Sequence, residues 1–306
     1  MWTAVTLWLV VGGGVAAYAT LAWRHVVAGA AAWPWVIGLP LAYLAAIAIF
    51  VLAYFALAWM FRAERPADKR LGMRGTWRLF WREYGTIAGS APRMMLYALL
   101  VRDPKPAPAD HPVLLLHGVL CNAGVWSSMK RRLEAAGLGP VYALSYGPPL
   151  ASIEVFADQV AAKVDAILHE TGARRVAIVA HSMGGLVARA FLRRHGNACV
   201  SRVITIGSPH AGSVHAWMFP GRSLAQLRPR NAWLDELSRS GSAGVPFVSL
   251  WSWHDSMVAP QTSARLPGCE NVALAGIGHN ALLADPDVAR LVAAELAKDR
   301  GQASAS

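Results

Sequence analysis

Charged side chains are scarce in this chain. Of its 306 residues, 15% are Asp, Glu, Lys or Arg, against 55% hydrophobic. The scarcity is local. No charged side chain occurs from Trp2 to Trp23, and none from Val26 to Phe61; only Arg24 and His25 stand between the two runs. A helix that crosses a bilayer needs about 20 apolar residues, so both runs are long enough. Acids are scarcer than bases, 18 against 29, which leaves a formal charge of +11. Cysteine is nearly missing. Cys121, Cys199 and Cys269 form no CxxC pair and no ligand-like spacing. That excludes a disulfide framework and a cysteine-based metal site, and it suits reduced thiols. No internal repeat is present, so a solenoid is excluded.

The two apolar runs predict a transmembrane hairpin over residues 1–61. Pro34 and Pro40 are expected to set the entry to the second helix, leaving roughly Trp35 to Phe61 as a tilted span. Trp33, Trp35 and Trp59 fall near its ends, where interfacial aromatics belong. A cleaved signal peptide is one alternative, with Ala17-Tyr18-Ala19 as a cleavage-like site. The opening MWTAVTLW lacks the basic start of such a peptide, however, and a second long run follows. A buried core hairpin is the other alternative. The loop between the runs carries one arginine, whereas Arg62, Arg65, Lys69, Arg70, Arg74, Arg78 and Arg82 follow the second. The positive-inside rule puts that flank, and both termini, on the cytoplasmic side of a bacterial inner membrane crossed twice. A periplasmic domain is the alternative.

Much of the excess charge therefore sits in residues 62–110, and it does not point to nucleic acid as a partner. In RGTWRLFWREYG, Arg74, Arg78 and Arg82 recur at i, i+4, i+8, while Trp77, Phe80, Trp81 and Tyr84 recur at i, i+3, i+4, i+7. A helix would carry cations on one face and aromatics on another. That pattern suits residues 62–84 lying on an anionic bilayer. A linker helix packed on the following domain is the alternative. RDPKPAPADHP, residues 102–112, reads as a linker. Residues 111–300 remain for one domain with a sizeable core, and the closing GQASAS is expected to fray.

Within that domain, Val113–Leu116, Val141–Leu144, Val176–Ala180, Val203–Ile206, Phe247–Leu250 and Val272–Leu274 are predicted strands. They lack polar alternation, as strands buried on both faces do. Between them, Ile153, Phe156, Val160, Val164 and Ile167 step along one helix stripe that Gly172 stops. Leu186, Val187, Ala190 and Phe191 form a second stripe ending at His195-Gly196-Asn197. Leu282 to Leu296 gives the last helix. Repeated strand–helix alternation predicts an α/β class fold, a mostly parallel sheet with helices on both faces.

Ser182 stands where an apolar strand meets a helix, in VAIVAHSMGGLVARAF. A sharp turn there lifts a hydroxyl above the sheet edge, and the strain requires small neighbours: Ala180 two before, Gly184 two after, with Gly185 letting the helix pack closely. The helix start places free N–H groups beside a developing oxyanion. Serine alone is a poor nucleophile and needs a base and an orienting acid. Asp255 follows one apolar strand and His279 the last, both at strand C-terminal ends. The expected triad is Ser182, Asp255 and His279. Asp285 and Asp287 are other acids, read as helix caps; His254 is read as structural. VLLLHGVLCNAGVW supplies a second oxyanion donor, the Val119 N–H after Gly118, to pair with that of Met183. His117 is read as shaping this loop.

LLLHGVLCN, AHSMGGLVAR, IGSPHAGS, Asp255 and GIGH together resemble bacterial lipases and esterases of the α/β-hydrolase superfamily, over roughly residues 110–298. The elbow has Ala180 where most relatives have glycine, an alanine some small bacterial lipases share. The N-terminal hairpin lies outside the match and is similar to that of membrane-tethered hydrolases sometimes labelled permeases. The resemblance implies hydrolysis of carboxylic esters through an acyl-enzyme, with no cofactor and no metal. His210 and His215 suggest no metal pair, since their loop offers no acid ligand. In relatives the segment after the fourth strand leads into a lid; here Trp217, Met218 and Phe219, with Leu120, are candidate substrate contacts, or else core packing of a cap helix. Lipid or acyl esters are the expected substrates, with the bilayer as partner. A thioesterase or acyltransferase is a second enzyme reading, and a catalytically silent membrane scaffold a reading of another class. Transport is disfavoured, because neither apolar run holds an ionisable residue.

Overall fold

The computed structural model describes residues 2–239 and 244–303. Two long helices come first, α1 (Trp2–Val27) and α2 (Trp33–Met60). Both are long and apolar enough to cross a membrane. Neither is packed into a core: Leu9, Val36 and Ile49 are 71%, 74% and 68% exposed, which sets aside the buried hairpin. The second helix starts at Trp33 and holds Pro40 inside it rather than beginning after it. Long apolar helices tolerate an internal proline better than water-exposed ones do.

Helix α3 (Met73–Met95) follows. Arg74, Trp77, Arg78 and Trp81 are exposed, whereas Leu79, Glu83 and Met94 are buried against the rest of the chain. The segment is thus a helix packed on the rest of the chain by one face, with a basic and aromatic face turned outward. A short α4 (Tyr97–Leu100) leads into the irregular linker, which is tied to the domain by Ala109 N donating to the Thr171 carbonyl at 3.0 Å.

Six strands follow: β1 (Val113–Leu116), β2 (Val141–Leu144), β3 (Val176–His181), β4 (Val200–Ile206), β5 (Phe247–Ser252) and β6 (Glu270–Leu274). They form one parallel sheet in the order β2-β1-β3-β4-β5-β6. The intervening helices are α5 (Ser127–Ala135), α6 (Ile153–Thr171), α7 (Met183–His195), α8 (Arg222–Leu227), α9 (Ala232–Arg239) and α10 (Pro286–Ala303). Leu114, Leu116, Ile178 and Val203 face α6 and α7 on one side of the sheet. Leu115, Val179, Ile204 and Leu250 face Trp126, Met129 and Leu133, with Val288 and Val292 of α10, on the other. Burial on both faces is why the strands read as unbroken apolar runs. Each such side chain contributes about 1.5–3 kcal/mol.

Local signals fix the ends of these helices. The Ser152 hydroxyl accepts from Glu154 N to cap α6, and Gly172 closes it at φ 71°. The last helix begins at Pro286, four residues later than its apolar periodicity suggests, and residues Ala281–Leu283 form a separate 3-10 turn. The cause is Asp285, whose Oδ1 accepts from Asp287 N at 2.8 Å and Val288 N at 3.1 Å. That is an N-cap followed by proline at the first helical position. Of the GQASAS tail, Ser304 to Ser306 lie outside the described residues.

Candidate active site

The site lies beyond the C-terminal ends of the strands. Ser182 follows β3 directly and adopts φ 55°, ψ −127°, a left-handed conformation for a residue with a Cβ. Such strain costs on the order of 1–3 kcal/mol and persists only where the surroundings enforce it. Here they do. Ser182 N donates to the Ile206 carbonyl at 3.0 Å, so the turn is pinned to the end of β4. A side chain at Gly184 would come within 2.5 Å of the Leu116 carbonyl, and one at Gly185 would overlap Ser208. Only glycines let α7 start this close to β1 and β4.

Asp255 and His279 meet on the same rim. His279 Nδ1 lies 2.9 Å from Asp255 Oδ2, and both side chains are buried. The other Asp255 oxygen accepts from Met257 N at 2.8 Å and Val258 N at 2.7 Å, which fixes the carboxylate. Gly207, next after the carbonyl that holds Ser182, faces both: a Cβ there would sit 3.1 Å from Asp255 Oδ2 and 3.3 Å from His279 Nδ1. His181, next before the serine, packs its ring on that of His279 at 4.6 Å, and its Nε2 lies 3.2 Å from the His279 carbonyl. Ser182 is thus joined to the His279–Asp255 pair through its chain neighbour His181 and through Gly207. The Ser182 hydroxyl makes no hydrogen bond among the described residues. In substrate-free sites such bonds are often long and tighten when the complex forms.

Burial sorts the histidines. It depresses His279, but the charge and hydrogen bond of Asp255, with the charge of Glu83 behind them, outweigh it, so the imidazole is held above its ordinary value. Burial, with the neighbouring His279, pushes His181 well below its own. Burial likewise takes His117 down to about 4, and its Nδ1 lies 2.8 Å from the Gly118 carbonyl while its ring stacks on Tyr146. His254 is lowered to about 4 by burial and by Arg65 beside it, and its Nδ1 accepts from Gly276 N. His210 contacts Thr205, and His215 contacts Ser213 and the Tyr54 carbonyl. Of these rings, only that of His279 is hydrogen-bonded to a carboxylate.

Gly118 brings the loop after β1 against the serine, since a Cβ there would lie 3.0 Å from Ser182 Cβ. The N–H groups of Val119 and Met183 have no acceptor among the described residues. Leu120, Trp217, Met218 and Phe219 are 45%, 63%, 43% and 38% exposed. That exposure overturns core packing as their role. The apolar helices border the same region. Thr3 donates to the Cys121 carbonyl, and the Tyr54 ring stacks on His215 at 5.0 Å. A cavity of about 520 Å³ between α2, α3 and the domain reaches His254 and Asp255.

One residue of this site escaped the sequence reading. Glu83 of α3 is fully buried. Its Oε1 accepts from Ser256 Oγ at 2.8 Å and from Asn280 N and Nδ2 at 2.9 Å each; Oε2 accepts from Ala281 N at 2.9 Å. The signal was a single acid among the arginines and aromatics of RGTWRLFWREYG.

Residues 112–243 match the family model described as palmitoyl protein thioesterase. That stretch holds β1 to β4, Ser182 and the exposed 217–219 segment; Asp255 and His279 lie beyond it. Among solved structures, Bacillus licheniformis lipase BlEst2 in its mature form is similar at 19% identity and a TM-score of 0.56, over 63% of this chain and 96% of that one. Aspergillus fumigatus lipase B is similar at 18% identity and a TM-score of 0.61, over 83% of this chain and 81% of the other. The chain has the α/β-hydrolase fold, which it shares with these two lipases, with two long apolar helices ahead of the domain.

Proposed function

We propose that this protein is a membrane-anchored serine hydrolase that cleaves carboxylic esters of lipids or other long acyl groups. The observation that carries the reading is the strained Ser182 turn beside a buried His279–Asp255 pair. In the reaction, Ser182 Oγ attacks the acyl carbon while His279 Nε2 takes its proton. Asp255 holds the ring in the required tautomer and favours the imidazolium that forms. The Val119 and Met183 amides receive the oxyanion, and the cost of losing one such donor is typically about a hundred- to a thousandfold in turnover. The C–O bond breaks, the alcohol leaves with the proton from His279, and an acyl-serine remains. Water repeats the sequence and releases the acid. The site residues use no cofactor in these steps.

Placement supports a lipidic substrate. The exposed Trp217, Met218, Phe219 and Leu120 stand beside two exposed apolar helices, a combination that favours a bilayer face over water. The basic flank after α2 supports a cytoplasmic domain in a two-span inner-membrane protein. A second reading is favoured by the palmitoyl protein thioesterase match over residues 112–243: the same acyl-enzyme formed from a thioester, with a thiol as leaving group.

The test is a fluorophosphonate probe on the purified chain. It labels the native protein, and Ser182→Ala abolishes the label; labelling that survives the substitution overturns the reading. Matched palmitoyl esters and thioesters then divide the two substrate classes by kcat/KM.

A further inference from the structure

The helix that precedes the domain contributes a buried carboxylate to the histidine side of the site. Glu83 lies about 200 residues from the groups it binds, 197 from Asn280 and 198 from Ala281. Four donors converge on its two oxygens: Asn280 N and Nδ2, Ala281 N and the Ser256 hydroxyl. Because Ser256 gives its proton to Glu83, its oxygen is left to accept, and His279 N lies 3.4 Å from it. The backbone N–H groups of residues 279, 280 and 281 are therefore aligned by one side chain, the first through Ser256. Ser256 also follows Asp255 directly. The carboxylate thus holds the neighbours of both members of the His–Asp pair.

We propose that Glu83 is a positioning residue for His279, and that α3 is a wall of the active site rather than a tether. The proposal rests on the reading of His279 as the general base. Two effects follow. Glu83 fixes the loop that aims the imidazole, so that Nε2 meets the serine proton without a search. Its negative charge also favours the imidazolium that forms in the transition state. The ionisable groups around His279 are Asp255, bonded to Nδ1; His181, packed on the ring; His215, from the 213–219 segment; and Glu83 itself. Arg82, beside Glu83 in the chain, is turned to Asp285 instead.

The experiment compares Glu83→Gln with the native full-length protein in detergent micelles, on a short soluble ester. The amide keeps the shape and one acceptor but loses the charge. The expected result is a fall in kcat of at least tenfold with KM little changed, and an acid limb of the kcat/KM profile displaced to lower pH. A merely structural role would not move that limb. Ser256→Ala, which breaks only the relay, should lower kcat by less and leave the limb in place. His279→Ala supplies the control: in that background Glu83→Gln should cost nothing further, since both act through one group. A folded Glu83→Gln protein with native kcat and an unmoved limb overturns the proposal, as does an equal loss in the His279→Ala background. Full activity in His279→Ala alone would instead overturn the hydrolase reading and this proposal with it.

Discussion

Asp255 Oδ2 and His279 Nδ1 lie 2.9 Å apart with both side chains shut away from water. The carboxylate holds the imidazole above its ordinary value against the opposing effect of burial. A general base works only when neutral, so activity should be lost as pH falls through that raised value. Asp255→Asn removes the charge and leaves burial to dominate. The acid limb should then move to lower pH while turnover drops by about 10⁴. A kcat/KM profile on both proteins checks the pair of effects; an unmoved limb would detach Asp255 from His279.

The exposed Trp217 invites a chain-length comparison. Its ring is 63% exposed and lies under Arg228, whose guanidinium is 4.4 Å from its centroid. If an acyl chain covers it, Trp217→Ala should lower kcat/KM for long-chain esters by about tenfold, as expected for an apolar contact of this size. Short esters should lose little. Equal loss on both would remove Trp217 from the acyl site.

Residues 62–82 offer a test of the proposed membrane orientation. A cysteine placed at exposed Arg78 should react in intact cells with a membrane-permeant maleimide and stay unlabelled by an impermeant one. The unsubstituted chain, with its three free cysteines at 121, 199 and 269, sets the background label to be subtracted. Labelling by the impermeant reagent would turn the domain to the other side.

Arg202 supplies a stability test away from the chemistry. It is 5% exposed and pairs with Asp299 at 3.0 Å and Glu295 at 3.4 Å on α10. Arg202→Ala leaves the enclosed Asp299 without its cation, while Glu295 keeps Lys298 at 2.5 Å, a loss of about 3 kcal/mol. The melting temperature should fall by roughly 5–10 °C, with the fluorophosphonate label retained.

Each of the six strands overlaps an apolar run legible in the sequence; for the central strands burial on both faces is the reason, whereas the edge strand β6 is only partly buried and opens with Glu270 and Asn271, ahead of the run. The turn at Ser182 was legible for a different reason: glycines two and three residues after a serine, at a strand–helix seam, have few other uses. The start of α10 was legible in part: Leu282 and Leu283 keep a helical rhythm through a 3-10 turn, while Asp285, read as a cap, marks the real beginning. Glu83 was harder still. Periodicity assigns a helix and its faces, but nothing local says that one acid on that helix will meet backbone amides nearly 200 positions away.

That last contact bears on how the protein can be divided. A fragment beginning at residue 111 would keep β1 to β6 together with Ser182, Asp255 and His279. It would lack the carboxylate that accepts from the amides of 280 and 281 and from Ser256, which in turn accepts from that of 279. Trimming the N-terminal third to gain solubility would strip those amides of their acceptor as well as removing the two apolar helices.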